Sequence, residues 1–102
     1  MNEGLPREQI AAGAEVFCFG EPGDSAYVVE AGRVEVLAVD GRRIAELGVG
    51  ALFGEVALLD QQARTATVRA VEPTPLLRIE RDHVQALLKR AAPVIRHLLT
   101  LL

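Results

Sequence analysis

The sequence has a single cysteine, Cys18, which excludes an intrachain disulfide. Tryptophan is absent and aromatic residues make up only 4% of the 102 positions, so Val, Leu and Ala must build the core. The two histidines, His83 and His97, stand well apart, and no cysteine–histidine spacing suited to zinc occurs. There is no run of Lys and Arg and no interleaving of basic with aromatic residues. With a formal net charge of -3, these absences argue against nucleic acid as the partner. A small anion stays open as a ligand, because it needs only one well-placed cation. No apolar run approaches the ~20 residues of a membrane span. The N-terminal "MNEGLPREQI" lacks the apolar segment of a secretory signal. The address these absences favour is the cytoplasm, or the cytoplasmic side of something larger.

What is present is a hydrophobic half, nine glycines that punctuate it, and a length that allows one domain over 1–102. Glycine-bounded β-prone segments follow one another from about Gly13 to Glu80. "EVFCF" (15–19), "AYVVE" (26–30), "RVEVLAV" (33–39), "RIAEL" (43–47), "TATVRAV" (65–71) and "LLRIE" (76–80) predict strands. In the third of these, Arg33 and Glu35 alternate with Val34 and Val36, so the valines face inward. "GEPGDS" (20–25) and "EPTP" (72–75) predict turns. "VDGR" (39–42) predicts a two-residue hairpin tip at Asp40-Gly41.

"GEVALLD" (54–60) breaks this rhythm and predicts one short helix. After Glu80 the period changes. Val84, Leu87, Leu88 and Ala91 make a helical stripe, Pro93 suits the first turn of another helix, and Val94, Ile95, Leu98, Leu99 and Leu102 form its apolar face. The fold class is therefore mainly β: a jelly-roll sandwich or barrel over about 13–80, with a short internal helix and C-terminal helices over about 81–102. The leucines of "HLLTLL" call for a partner, in this domain, in a second copy or in an output region. That favours a piece of a longer protein.

The chemistry concentrates in "FGEVALLDQQARTATVRA" (53–70). A short helix begins with unpaired N–H groups of partial positive charge, which suits an anion. Gly54 admits close approach of a ligand to the backbone. Arg64 offers a charge-assisted, bidentate bond to a phosphate oxygen, with the Thr65 hydroxyl beside it and room left by Ala66. Glu55 suits hydroxyl donors such as those of a ribose. The plain alternative is a surface ion pair between Glu55 and Arg64.

The stretch resembles the phosphate-binding cassette of cyclic nucleotide-binding domains, which carries Gly-Glu-apolar-small-Leu, a short spacer, then Arg-Ser/Thr/Ala-Ala. Gly54, Glu55, Val56, Ala57, Leu58, Arg64, Thr65, Ala66 and Thr67 match. "GAEVFCFGEPGDSAYVVEAGRVEV" (13–36) is similar to that family's first strands, and the likeness extends into the last helix. The family usually has a helix before its first strand, whereas here only about ten residues precede Gly13 and Pro6 interrupts them.

The resemblance implies an eight-stranded jelly roll that binds cAMP or cGMP, cAMP more readily. Glu55 would accept a bond from the ribose 2′-hydroxyl and Arg64 would pair with the cyclic phosphate. The amides around Val56 and Ala57, with Thr65, would complete the cradle. Val36, Ile44 and Ala45 would line the base pocket. It also implies a regulatory domain that signals through its C-terminal helices and catalyses nothing. No nucleophile–base pair or metal site is legible, and the histidine cluster of a metal-binding cupin is missing. The competing reading is a structural or interaction module that keeps the fold without the ligand. Cys18 is expected as a buried apolar thiol, and Thr67 as strand filler near the site.

Overall fold

The computed structural model describes residues 5–55 and 63–83. These form eight strands: β1 (Arg7–Ile10), β2 (Glu15–Phe17), β3 (Ser25–Val29), β4 (Val34–Leu37), β5 (Arg43–Leu47), β6 (Leu52–Phe53), β7 (Thr67–Ala70) and β8 (Thr74–Glu80). They make two antiparallel sheets, ordered β1-β8-β3-β6 and β2-β7-β4-β5. Strand neighbours in space are mostly distant in sequence, so the chain crosses repeatedly between sheets, as a jelly roll requires. The helical C-terminal region from Val84 onward, and most of the 54–60 helix, lie outside the described residues. Helical backbone is seen at Glu55 and over 81–83.

The core lies between the sheets. Tyr27 and Val29 of β3, Phe53 of β6 and Leu76 of β8 meet Val34 of β4 and Val68 of β7. In β7 the period of two is plain: Val68 and Ala70 are buried while Thr67 and Arg69 point away. Each fully buried aliphatic side chain of this kind contributes roughly 1.5–3 kcal/mol relative to exposure. β3 is buried along nearly its whole length because β8 flanks it on one side and β6 on the other.

Several element bounds differ from the sequence reading. The first strand starts at Arg7, ahead of Gly13, and pairs with β8 from Arg7↔Leu77 to Ile10↔Thr74. Its exposed-and-half-buried alternation in a four-residue edge strand is too short to signal a strand by pattern. Pro6 stands just before it, where its carbonyl accepts the Arg78 N–H at 2.9 Å. β6, only Leu52–Phe53, was also not expected. β8 begins at Thr74, inside the "EPTP" segment. Thr74 is fully buried, its hydroxyl 2.7 Å from the Glu72 carbonyl oxygen and 3.0 Å from that of Arg33.

The β4–β5 hairpin is wider than a two-residue tip. Ala38 N–H donates to the Arg42 carbonyl (2.8 Å) and Gly41 N–H to the Ala38 carbonyl (2.8 Å), so Val39-Asp40-Gly41 form a three-residue loop. Gly41, at φ +88°, takes the left-handed position that such loops place third. A two-residue tip would set Ile44 opposite the buried Leu37. Instead Leu37 opposes Arg43 and Val36 opposes Ala45, leaving Ile44 as the extra residue of a bulge, 61% exposed.

Candidate functional site

The loop that enters β7 is stitched to the β2–β3 turn. Arg64 N–H donates to the Glu21 carbonyl (2.7 Å), Gly20 N–H donates to the Arg64 carbonyl (2.8 Å), and Pro22 bridges Ala63. This fixes the backbone of Arg64 and turns its side chain into the barrel. Arg64 is buried, with 6% of the residue exposed. Nη1 donates to the Gly54 carbonyl at 3.0 Å and Nη2 to the Ser25 carbonyl at 2.8 Å. The guanidinium carbon sits 4.0 Å from the centroid of the Phe17 ring. Nε is buried and has no hydrogen-bond partner among the described residues.

No carboxylate forms an ion pair with Arg64 among the described residues, so a surface Glu55–Arg64 pair is not what the structure contains. Burial lowers the arginine's pKa from its ordinary value. The Tyr27 hydroxyl and the carboxylates of Asp24 and Glu21 oppose that shift without cancelling it. A guanidinium stays protonated regardless. The direction says that the cation is under-compensated where it lies.

Beside it opens a cleft of about 250 Å³. Phe17, Phe53 and Val68 floor it, and Val36, Leu47 and Leu52 form one apolar side. Gly54, Glu55, Ala63, Arg64, Thr65 and Ala66 form the polar end. Of the residues singled out in the sequence, Gly54, Glu55, Arg64, Thr65, Ala66 and Val36 therefore converge on one cleft. Val56 and Ala57 lie outside the described residues. Ile44 and Ala45 are not among the residues that line the cleft: the bulge turns Ile44 to solvent, and although Ala45 pairs with Val36, the β5 residue that lines the cleft is Leu47, opposite Val34.

Gly54 is required by geometry. Its φ is +83°, and a Cβ there would stand 2.9 Å from Arg64 Nη1 and 3.3 Å from the Ser25 carbonyl oxygen. The residue that brings its carbonyl to the arginine thus cannot carry a side chain without displacing it.

Phe17, Phe53 and Leu47 were not singled out by the sequence. A Phe at the end of a short β-prone run gives no sign of facing an arginine far along the chain. Cys18 is half-buried, with the Thr67 hydroxyl 3.7 Å from its sulfur. Thr67 also accepts the Phe19 N–H at 3.0 Å, so it ties the end of β2 to β7. Among the described residues no group of acidic, histidine or cysteine side chains could hold a metal ion. No described helix is long and apolar enough to cross a membrane.

A family model described as "Cyclic nucleotide-binding domain" matches residues 7–91. The chain belongs to the cyclic nucleotide-binding domain family. It is 39% identical over 100 residues to the cyclic AMP receptor protein of Thermus thermophilus, covering 94% of this chain and 46% of that protein. It is 37% identical over 79 residues to the cAMP-dependent protein kinase regulatory subunit of Yarrowia lipolytica, covering 78% of this chain and 21% of that one. A solved EAL enzyme in its cAMP-bound form superposes with a TM-score of 0.79 at 34% identity, over 94% of this chain and 27% of that chain. The cyclic nucleotide-binding domain described here thus spans less than half the length of these relatives.

Proposed function

We propose that this domain binds a cyclic nucleotide, cAMP in preference to cGMP, and acts as a regulatory module without catalysis of its own. The observation that carries the reading is Arg64: a buried arginine at the wall of a cleft, held by carbonyls and a ring, with no carboxylate in ion-pair contact among the described residues. An incoming cyclic phosphate supplies the missing charge at a desolvated position, where a charge-assisted bond is strong. Thr65 adds a hydroxyl at the same end, Gly54 and Ala66 leave the backbone accessible, and Glu55 accepts the ribose 2′-hydroxyl. The amides of Val56 and Ala57 join the cradle. Val36, Leu47 and Leu52 offer the apolar side to the base.

The preference for cAMP draws on the printed names of the relatives, which include a cyclic AMP receptor and a cAMP-dependent kinase subunit. Transmission to an output region through the C-terminal segment draws support from Arg81. Its N–H donates to the Asp24 carbonyl (3.3 Å) and its Nη2 to the Gly23 carbonyl (3.4 Å), in the same turn that Arg64 holds through Glu21 and Ser25. Ligand shifts that equilibrium only by its difference in affinity for the two states. The partner is an output region or a second copy, and the setting is the cytoplasm.

Calorimetric titration of the chain with cAMP and with cGMP tests this. Saturable binding with the tighter constant for cAMP is expected. Tighter cGMP binding overturns the preference, and absence of binding to either turns the domain into an interaction module that has kept the fold.

A further inference from the structure

We propose that Phe17 is a positioning residue for Arg64: its ring, 4.0 Å from the guanidinium carbon, fixes the plane in which the arginine meets an anion. The inference rests on the cyclic nucleotide reading for its ligand but on geometry for the contact. Two carbonyl oxygens, of Gly54 and Ser25, engage the guanidinium at its edge. Edge contacts alone leave the plane free to tilt. A ring against one face removes that freedom, and a cation over a desolvated aromatic face is attracted to it as well.

The ring packs against two others. Its centroid is 6.0 Å from that of Phe53 and 6.3 Å from that of Tyr27, and those two stack at 5.5 Å. Three of the chain's four aromatic residues therefore form one cluster, and its Phe17 ring meets the arginine. The same ring also floors the cleft, so the group that orients the cation touches the space the ligand enters. An aliphatic residue would fill the volume but present no negative face. The arginine's long side chain would then have to be ordered at the moment of binding, at a cost in affinity.

The test is a double-mutant cycle on the full chain, read by titration with cAMP and with adenosine, which lacks the phosphate. Phe17→Leu is expected to weaken cAMP about tenfold, the scale of a desolvated cation–π contact, and to weaken adenosine by less. In an Arg64→Gln background the same substitution is expected to cost nothing further. Phe17→Tyr, which keeps the ring, is expected to restore cAMP affinity.

An equal loss for cAMP with and without Arg64, an equal loss for adenosine, or no loss at all overturns the proposal. A second reading needs no ligand and survives an unstable Leu variant through the Tyr one. The Nε–H resonance of Arg64 is expected to be shifted upfield by the ring in the wild-type and Phe17→Tyr chains. An unshifted wild-type resonance overturns the contact. A wild-type chain that binds no cyclic nucleotide while showing the shift removes the functional reading and keeps the positioning one.

Discussion

Two arginines stand on either side of the turn that leads into β7, in opposite surroundings. Arg69, on the outer face of the second sheet, is half-exposed and donates to Glu35 from Nε at 2.9 Å and Nη2 at 2.8 Å. Glu35 also holds Arg43, Arg43 holds Glu46, and Arg33 links Glu46 to Glu72. Arg33, Arg43 and Arg69 each have an anion there, and water screens what is left. Arg64, on the inner side of the same barrel, has two carbonyl oxygens and a ring. A buried charge is costly without an ion-pair partner; among the described residues Arg64 has none, and a cleft lies against it. The difference separates a surface that closes its own charge from a site left open for an anion to complete.

Substitution of the two arginines should pull that comparison apart most strongly. Arg64→Gln is expected to weaken cAMP by about 2–5 kcal/mol, the scale for one partner of a buried charge pair, or roughly thirtyfold and upward. Arg69→Gln is expected to leave affinity unchanged. Displacement of a fluorescent cyclic nucleotide reads both, and equal losses would erase the distinction.

Gly54→Ala should come next. The left-handed φ alone costs about 1–2 kcal/mol, and the new methyl lies against Arg64 Nη1. Stability in urea and cAMP affinity are expected to fall together. A stable variant with full affinity would mean that Gly54 does not hold the arginine in place.

Thr74→Val probes a buried hydroxyl far from the cleft. It leaves the Arg33 N–H, which donates to it at 3.2 Å, and two carbonyls without that partner. A loss of about 1–3 kcal/mol in urea unfolding is expected, with affinity intact. Weakened binding here would spread the site beyond the cleft.

The smallest effect belongs to the outer network and to acid. The Arg69 hydrogen bond, chiefly, and that of Arg43 hold the Glu35 carboxyl below its ordinary 4.5. A depressed folded pKa means that this contribution is whole above the ordinary value and fades as pH falls through the lower one. Glu35→Gln is therefore expected to lower stability slightly near neutrality and to change nothing once the pH is below the depressed value, which flattens the acid side of the profile. A change in cAMP affinity at neutral pH would contradict the separation of the two faces.

The parts of this molecule that were legible in the sequence are those where local chemistry and tertiary role agree. Glycine turns and valine alternation announced β3, β4, β5 and β7, and the Gly-Glu and Arg-Thr-Ala pattern announced the polar end of the cleft. The apolar end was harder. The resemblance set Ile44 and Ala45 in the base pocket on strand register, but the loop took three residues, the bulge at Ile44 turned it out, and Leu47 is the β5 residue that lines the cleft. β1 and β6 are too short to show a period. Phe17 could not be read because its meaning lies in a contact with Arg64 that only the pairing of β2 with β7 and the stitched turn bring about.

The most direct test of the central claim is calorimetric titration of the wild-type and Arg64→Gln chains with cAMP, side by side. The account predicts a saturable isotherm for the wild type and an affinity weakened about thirtyfold or more in the variant. Binding of undiminished affinity in Arg64→Gln would contradict it, because the buried cation would then not be the group that the ligand completes.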